Sequence, residues 1–189
     1  MPRIYMIRHG KPAATWGDGS AHPDPGLDET GQAQARAAAA ALLALPQPPT
    51  LVLTSPLARC RGTAKPFAEA LGMAAVIEPR IAEIPTPAAL SETERGPWLR
   101  EAFQSTWHGI KGDIDYAAWR DAAAAAVMEH PGAAIFSHFV AINAAVAAAT
   151  GDDRVLSFRP DHCAITTFEV VDGRLALIEL GREAQTGVL

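Results

Sequence analysis

A cation and an imidazole stand at the end of the first apolar run of the chain. The run Ile4–Ile7 leads directly into Arg8, His9 and Gly10. A guanidinium offers a planar set of donors that matches phosphate oxygens, and a neutral imidazole offers a nucleophilic nitrogen that works near pH 7. Glycine allows a sharp turn or the close approach of another group. Taken alone, the triplet also fits a strand end with solvated polar residues, so its meaning depends on what else reaches the same place.

The ends of two later strands bring further polar residues to that place. Leu51–Thr54 is a short apolar run followed by Ser55 and by a helix that carries Arg59 in its first turn, and Ala133–His138 is an apolar run that ends in an imidazole. Because α/β sheets bind ligands beyond the carboxyl ends of their strands, these residues are expected to converge with the triplet. Helix N-termini and guanidinium groups both bind phosphate well. The pattern predicts a cationic pocket suited to a phosphoryl group.

Strands and helices alternate along the sequence, which is typical of an α/β fold with a largely parallel sheet. The segment Ile81–Arg100 is rich in proline and charge and is predicted to be irregular, and Asp172-Gly173 between apolar runs predicts a hairpin. The expected fold class is a three-layer αβα sandwich with a mixed, mostly parallel sheet in a single domain. The predicted strands are Arg3–Arg8, Leu51–Thr54, Ala74–Glu78, Ala133–His138, Ala164–Val171 and Leu175–Leu180, and the predicted helices are Asp28 (as N-cap) to about Leu45, Ser55–Leu71, Leu99–Trp107, Tyr116–Glu129 and Phe139–Thr150.

Composition and charge exclude several classes of function. At 189 residues, 49% of them hydrophobic, the chain suits one domain with a sizeable core. A net charge of −5 argues against nonspecific nucleic-acid binding. The two cysteines, Cys60 and Cys163, have no metal-ligand spacing, so neither a metal site nor a disulfide framework is expected. Met1–Arg3 leaves no room for a signal peptide before the first strand, and no apolar stretch is long enough to span a bilayer, so we expect a cytoplasmic protein without membrane or nucleic-acid partners. No sustained heptad indicates an oligomeric state.

Five short motifs occur in the order and spacing of a known family. They are Arg8-His9-Gly10, Leu27–Gly31 with Gln34-Ala35, Ser55–Arg59 with Thr63-Ala64, Arg80–Ile84, and Ser137-His138. On these residues the chain resembles the histidine phosphatase superfamily, also called phosphoglycerate mutase-like, from residue 4 to about residue 150. Several independent motifs in order are far more specific than the first triplet alone. The resemblance implies a metal-independent enzyme without a cofactor that acts on phosphorylated substrates.

The resemblance implies a role for each matched residue. His9 would be the nucleophile that takes up the phosphoryl group, and Arg8, Arg59 and His138 would hold the phosphoryl oxygens. Thr15, six residues after His9, stands where family members often place another phosphate-contacting residue. A covalent phosphohistidine would split one difficult displacement into two easier ones. For His9 to attack through one ring nitrogen, the other is expected to donate to a fixed acceptor such as a backbone carbonyl.

The proton donor is the least defined member of this set. The resemblance implies Glu83, which would protonate the leaving alkoxide and then activate water, and its carboxyl would need a raised pKa to be protonated near neutrality. Family members often continue with glycine and tryptophan after this glutamate, whereas this chain continues with Pro85–Pro87. Other acids therefore stay open as the donor, namely Asp18, Asp24, Glu92 and Glu94.

Departures from the family pattern fall where a substrate would be recognised. A variable cap insertion is expected around residues 84–112 of the single histidine phosphatase-like domain 1–189. Phe139 replaces the glycine that often follows the second histidine and is expected to reshape the rim of the pocket. His162 precedes a strand whose start lies near the pocket in relatives, and it is either a ligand contact or a residue without such a role.

The activity favoured by these observations is hydrolysis of a phosphomonoester by a phosphatase of the histidine acid or broad-specificity type. Its substrate would be a phosphorylated small molecule or a phosphoprotein. Two alternatives stay open: a phosphoglycerate mutase-type phosphotransferase, and a domain that binds a phosphorylated ligand without turnover. A mutase must keep its phosphohistidine from water, and related mutases usually have a tail that closes over the site. The short tail Gly181–Leu189 favours hydrolysis.

Overall fold

The computed structural model of the protein describes residues 1–14 and 24–185. A single 3-10 turn, Pro79–Ile81, follows the third strand. The strands are β1 (Ile4–Arg8), β2 (Leu51–Thr54), β3 (Val76–Ile77), β4 (Ala133–Ser137), β5 (Ile165–Val171) and β6 (Arg174–Glu179), and the helices are α1 (Glu29–Leu43), α2 (Ala58–Ala70), α3 (Glu92–Phe103), α4 (Tyr116–Met128) and α5 (Phe139–Thr150).

Six strands form one sheet in the order β3-β2-β4-β1-β5-β6. The first four strands are parallel, whereas β5 is antiparallel to β1 and β6 is antiparallel to β5. The register places Arg8 beside Ser137, and β2 ends level with β4. Because β5 runs in the opposite direction, its first residue, Ile165, pairs with Ile7 near the end of β1. The carboxyl ends of β1, β2 and β4 and the turn before β5 therefore share one edge, called the carboxyl edge below.

Alternate residues of the central strands enter two separate cores, as the period of two in a strand requires. Ile7 packs in a core with Phe67 of α2. Met6, its neighbour in the chain, packs in the other core with Ile142 of α5. Helices α1 and α2 thus cover one face of the sheet, and α4 and α5 cover the other. The three-layer αβα sandwich expected from the sequence is confirmed.

A third core holds α3 against the outer side of α4 and α5. Leu99 of α3 packs there with Tyr116 of α4 and Phe139 of α5. Trp107, in the loop after α3, is 1% exposed and lies in the same core. The segment predicted to be a cap thus rests on the body of the domain through apolar contacts.

The prediction that residues 81–100 are irregular is wrong from residue 92 onward. Ser91 and Glu94 form a capping box at the start of α3, which satisfies two backbone donors of the first turn. Gly96 and Pro97 lie inside the helix, although both residue types have a low intrinsic helix propensity. The capping box and the burial of the apolar side of α3 stabilise the helix enough to outweigh this low propensity.

Several local predictions are confirmed. Asp28 caps α1, where its Oδ1 accepts a hydrogen bond from the Gly31 N–H at 2.7 Å. The Asp172-Gly173 turn joins β5 to β6, and both residues have positive φ, 49° and 72°. Strand β3 is shorter than predicted, with only two paired residues at the edge of the sheet. In residues 1–14 and 24–185, no helix is long and apolar enough to cross a membrane.

Candidate active site

His9 lies directly after β1 and is fixed by three hydrogen bonds. Its N–H donates to Ser137 O at 3.0 Å, its carbonyl accepts from His162 Nδ1 at 3.1 Å, and its own Nδ1 lies 2.8 Å from Gly10 O. Because a carbonyl oxygen only accepts, Nδ1 of His9 carries the proton and Nε2 of the neutral ring carries the lone pair. The expected backbone acceptor is confirmed, and Nε2 is the atom of His9 that can attack a substrate.

Gly10 allows two backbone segments to meet beside His9. A Cβ atom at this position would lie 2.7 Å from Gly31 O, closer than a side chain can come. The Gly10 N–H donates to Thr63 Oγ1 at 2.9 Å, and this hydroxyl donates in turn to Arg59 O at 2.7 Å. Thr63 thus connects the loop after β1, which follows His9, to the first turn of α2, which carries Arg59.

Arg8 presents a buried guanidinium to the same place. Its Nη1 donates to Pro160 O at 2.9 Å, and its Cζ lies 5.3 Å from the centre of the Phe139 ring. Within the described residues, its Nε is buried and has no hydrogen-bond partner. Burial lowers the pKa of Arg8 to about 10, which still leaves the group charged at neutral pH. Since buried donors normally have partners, this Nε is suited to an anion that enters the site.

His138 follows β4 and is fully buried, with both ring nitrogens in contact with side chains. Its Nε2 lies 2.8 Å from Ser55 Oγ, and its Nδ1 lies 3.2 Å from Arg59 Nη2 and 3.3 Å from Glu83 Oε2. The Ser55 hydroxyl can donate or accept, so it accommodates His138 in either neutral tautomer and in the protonated form. Burial lowers the pKa of His138 although Glu83 raises it. Because side chains engage both ring nitrogens of His138, neither nitrogen is free to attack a substrate in the empty site.

Glu83 faces the cations of the site from the loop after the 3-10 turn. Its Oε2 accepts from Arg59 Nη2 at 3.3 Å, and its Oε1 accepts from the Ile84 N–H at 3.2 Å. Burial raises the pKa of Glu83, but His138 and Arg59 outweigh that effect and bring it to about 2. In the absence of a bound anion, Glu83 is a carboxylate. The raised pKa that a proton donor needs is thus not a property of the empty site.

The surroundings keep His9 neutral. Burial lowers the pKa of His9 well below its ordinary value, and the nearby His138, Arg59 and Arg8 lower it further. The hydrogen bond to Gly10 O acts in the opposite direction without reversing the shift. A neutral imidazole keeps its lone pair at pH 7, which is what a nucleophile requires.

Five of the six predicted site residues meet at the carboxyl edge: Arg8, His9, Arg59, Glu83 and His138. The ring centres of the two histidines lie 5.3 Å apart. The sixth residue, Thr15, lies outside the described residues. The roles given to these residues stay predictions, but the grouping on which they depend is present.

Among the acids considered as donors, Glu83 is the one that contacts Arg59 and His138. Glu92 and Glu94 are exposed in the first turn of α3, and Glu94 is engaged in the capping box. Asp24 accepts the first N–H of α2 with both carboxylate oxygens, at 2.9 and 3.0 Å. Asp18 lies outside the described residues.

Three residues of the site had no assigned role from the sequence. Ser55 contacts His138, and Thr63 connects Gly10 to α2, as described above. Cys60 is buried with its Sγ 3.3 Å from His138 Nε2, and burial raises the pKa of its thiol. Helical spacing was the available signal for Thr63, because it lies four residues after Arg59 and therefore on the same side of α2.

One family profile matches nearly the whole chain. The profile of the histidine phosphatase superfamily, branch 1, matches residues 4–182. The chain belongs to the histidine phosphatase superfamily. The resemblance drawn from the five motifs is thereby confirmed. No curated protein shows a significant match to this sequence.

Solved structures of this superfamily share the fold over the full chain. A mycobacterial glucosyl-3-phosphoglycerate phosphatase in complex with inorganic phosphate is 22% identical with a TM-score of 0.71, over 99% of this chain and 100% of that chain. Phosphoserine phosphatase from Entamoeba histolytica in complex with 3-phosphoglyceric acid is 21% identical with a TM-score of 0.76, over 98% of each chain. A putative alpha-ribazole-5'-P phosphatase from Escherichia coli is 20% identical with a TM-score of 0.73, over 100% of this chain and 99% of that chain. At these identities the likeness concerns the fold.

Proposed function

We propose that this protein is a metal-independent phosphomonoester phosphatase that acts through a phosphohistidine on His9. The observation that carries the proposal is the state of the His9 ring. Its Nδ1 is committed to Gly10 O at 2.8 Å, which leaves Nε2 unprotonated beside two guanidinium groups and a second imidazole. Phosphoryl transfer depends mainly on positioning and on charge stabilisation, and these groups supply both.

In the first step, Nε2 of His9 attacks the phosphorus atom of the substrate. The N–P bond forms while the bond from phosphorus to the ester oxygen breaks, and the leaving oxygen takes a proton from the Glu83 carboxyl. Arg8, Arg59 and His138 hold the phosphoryl oxygens and offset their charge. No external oxidant or cofactor is needed for the atoms and charges to balance.

Binding of the substrate would raise the pKa of Glu83, so that its carboxyl group takes up a proton. In the empty site its pKa is about 2 because His138 and Arg59 stabilise the carboxylate. A bound phosphate engages those same two side chains and places negative charge next to Glu83, and both changes raise the pKa of a carboxyl group. The acid is therefore formed only when there is a leaving group to protonate.

In the second step, water attacks phosphorus and regenerates the enzyme. The Glu83 carboxylate accepts a proton from the water, the new P–O bond forms, and the N–P bond breaks so that the lone pair returns to Nε2 of His9. Inorganic phosphate then leaves, and Glu83 releases the proton that it took from water to the departing phosphate or to the solvent. Glu83 thus acts as acid and then as base.

The solved neighbours support a small phosphomonoester as the substrate. The names of those proteins specify glucosyl-3-phosphoglycerate, phosphoserine and an alpha-ribazole phosphate. We infer a phosphorylated small molecule for this chain on that ground, with a phosphoprotein as the other class to test. The two cysteines are free thiols, which supports a reducing, cytoplasmic location.

The ionised state of Glu83 favours a second candidate substrate, a phosphohistidine protein. Its leaving group is an imidazole, which needs less help from an acid than an alkoxide does. A mutase-type phosphotransferase differs from both, because it would return the phosphoryl group to an organic acceptor rather than to water. A domain that only binds ligand would hold phosphate without releasing it from any ester.

The test is phosphate release in the presence of a chelator from a panel that holds p-nitrophenyl phosphate, phosphoserine, 3-phosphoglycerate and a phosphohistidine protein. Wild type is compared with His9→Ala and with His130→Ala, a matched change at the opposite end of β4. We expect chelator-resistant release by wild type and by His130→Ala, and a loss on the order of 10⁴-fold or more in His9→Ala. Release that survives in His9→Ala, or transfer to an organic acceptor in place of release, would refute the proposal.

A further inference from the structure

The turn that precedes β5 is bound to the end of β1. Arg8 Nη1 donates to Pro160 O at 2.9 Å, the Cys163 N–H donates to Arg8 O at 3.0 Å, and His162 Nδ1 donates to His9 O at 3.1 Å. Cys163 has a φ of 57°, a left-handed conformation that residues other than glycine seldom adopt. Contacts with Arg8 and His9, together with the hydrogen bond from the His162 N–H to Asp161 Oδ1 at 2.8 Å, hold this turn in place.

His162 thereby places a third imidazole beside the nucleophile. Its ring centre lies 5.7 Å from that of His9, nearly the same distance as the 5.3 Å between His9 and His138. Because His9 O only accepts, the neutral ring of His162 has its proton on Nδ1 and its lone pair on Nε2. His138 is fully buried, whereas His162 is half-buried. The ring of His162 therefore borders both the nucleophile and the solvent.

The charges around His162 favour the neutral ring when no anion is bound. Burial lowers its pKa, and Arg8 lowers it further, while the His9 carbonyl and the nearby carboxylates act in the opposite direction without reversing the shift. A phosphoryl dianion beside Arg8 would offset the field of the guanidinium, so that Nε2 gains a proton as the anion binds. The charged and titratable groups that face His162 come from several elements: Arg8 and His9 at the end of β1, Asp28 at the N-cap of α1, Asp161 and Cys163 in its own turn, and Arg182 after β6.

We propose that His162 is a further binding residue of this site, which donates a hydrogen bond from Nε2 to the phosphoryl group bound beside His9. The proposal rests on the proposed function only in that a phosphoryl group occupies the pocket, and it does not require turnover. A phosphoryl group held at Nε2 of His9 carries three terminal oxygens, and the ring centres of His138 and His162 lie 5.3 and 5.7 Å from that of His9. Unlike the guanidinium groups, this donor is present in full only when the anion is bound, so binding takes up a proton.

The test is calorimetric titration with inorganic phosphate near neutral pH, in two buffers of different ionisation enthalpy, so that proton uptake is measured with affinity. In His162→Asn the amide can still donate to His9 O, but the second ring nitrogen is lost. We expect the affinity for phosphate to fall about tenfold or more, because a hydrogen bond to a charged group is removed, and the proton uptake to fall below that of wild type. In His162→Gln the amide reaches the place of Nε2, so part of the affinity returns without the additional proton uptake.

The matched control is His130→Asn. Nδ1 of His130 also forms a hydrogen bond with a backbone carbonyl, Ala126 O at 2.7 Å, and His130 is half-buried like His162. His130 precedes β4, however, and therefore lies at the opposite edge of the sheet. Its replacement is expected to leave both affinity and proton uptake unchanged.

Wild-type affinity and proton uptake in His162→Asn would overturn the inference and reduce His162 to a residue that positions the His9 carbonyl. A wild-type protein that binds no phosphate would also overturn it. Ester hydrolysis is measured separately on the same variants. Phosphate binding that depends on His162 without hydrolysis of any ester would refute the proposed function and leave this inference standing, whereas hydrolysis with an unaffected His162→Asn would do the reverse.

Discussion

The carboxyl edge of the sheet and the segment 84–112 are held together by different forces. At the carboxyl edge, buried polar groups are linked by hydrogen bonds, as in the chain from Gly10 through Thr63 to Arg59. In the segment 84–112, apolar side chains such as Leu99 and Trp107 pack against α4 and α5. Polar links fix the directions of individual atoms, whereas apolar packing fixes the position of a whole element. We therefore expect substitutions at the edge to change chemistry and substitutions in the segment to change stability.

After His9→Ala, the largest effect is expected from Glu83→Gln, which removes the proposed acid and keeps the size of the side chain. For an alkyl phosphate, the rate of the first step should fall about 10²- to 10⁴-fold, because an alkoxide leaves poorly without a proton. For p-nitrophenyl phosphate, the burst of p-nitrophenol should slow far less, since this leaving group is stable as an anion. Rapid-quench measurements on both esters check the difference, with Glu92→Gln on the exposed side of α3 as the control. Equal losses for both esters would remove Glu83 from the role of acid.

In the segment 84–112, the corresponding substitution is Trp107→Ala. Its ring is 1% exposed and stacks on Trp119 with centres 5.9 Å apart, so truncation should lower the free energy of unfolding by about 3–5 kcal/mol. The kcat of the protein that remains folded should not change. Denaturant unfolding and kinetics on the same samples measure both. Trp98→Ala, at a half-buried tryptophan of the same segment, should cost less stability; a greater loss of kcat than of stability in Trp107→Ala would contradict the comparison.

A smaller effect at the carboxyl edge is expected from Ser55→Ala. The hydroxyl contacts His138 Nε2 at 2.8 Å, and without it the buried ring loses one of its partners. We expect kcat/KM to fall about tenfold, the usual effect of one buried hydrogen bond, with little change in the unfolding midpoint. Ser105→Ala, at a half-buried serine of the segment, serves as the control. An effect on stability larger than the effect on kcat/KM would place Ser55 with the structural residues.

The smallest predicted effect is the pH dependence of stability that Glu83 contributes. Its pKa is about 2 in the folded protein against an ordinary value of 4.5, so the folded state favours the carboxylate. The contribution is complete above pH 4.5 and is lost as the pH falls through 2. Because the side chain is 22% exposed, solvent screens part of the effect, which should be on the order of 1 kcal/mol. Unfolding free energies measured from pH 4.5 downward should therefore fall less steeply in Glu83→Gln than in wild type; identical slopes would contradict this assignment.

The two regions also differ in how far the sequence predicts them. The grouping of Arg8 with His138 follows from strand ends, because parallel strands of similar length must finish at one edge. The Asp28 cap follows from local hydrogen bonding, which short-range sequence describes well. By contrast, Gly96 and Pro97 favour irregular structure in α3, and only contacts with distant residues reverse that preference. The Ser91–Glu94 capping box was the local signal that could have indicated the helix.

The contacts of Ser55 and His162 could not be predicted for a related reason. Whether Ser55 reaches His138 depends on side-chain directions across two strands, which the order of residues does not specify. The position of His162 depends on β5 running antiparallel to β1, so that its start returns to the carboxyl edge. The final hairpin indicated a mixed sheet, but not which strand β5 would join.

The most direct test of the account is to identify the atom that carries the phosphoryl group. The Glu83→Gln variant is mixed with p-nitrophenyl phosphate, because this ester can still form the phosphohistidine. Hydrolysis of the phosphohistidine is slowed in this variant, which lacks the proposed base. The reaction is quenched in alkali, where phosphohistidine survives. Peptide mapping and phosphorus NMR then identify the residue and the ring nitrogen. The account predicts phosphorylation of Nε2 of His9, because Nδ1 is bound to Gly10 O at 2.8 Å. A phosphoryl group on Nδ1, on another residue, or on none while p-nitrophenol is released would contradict it.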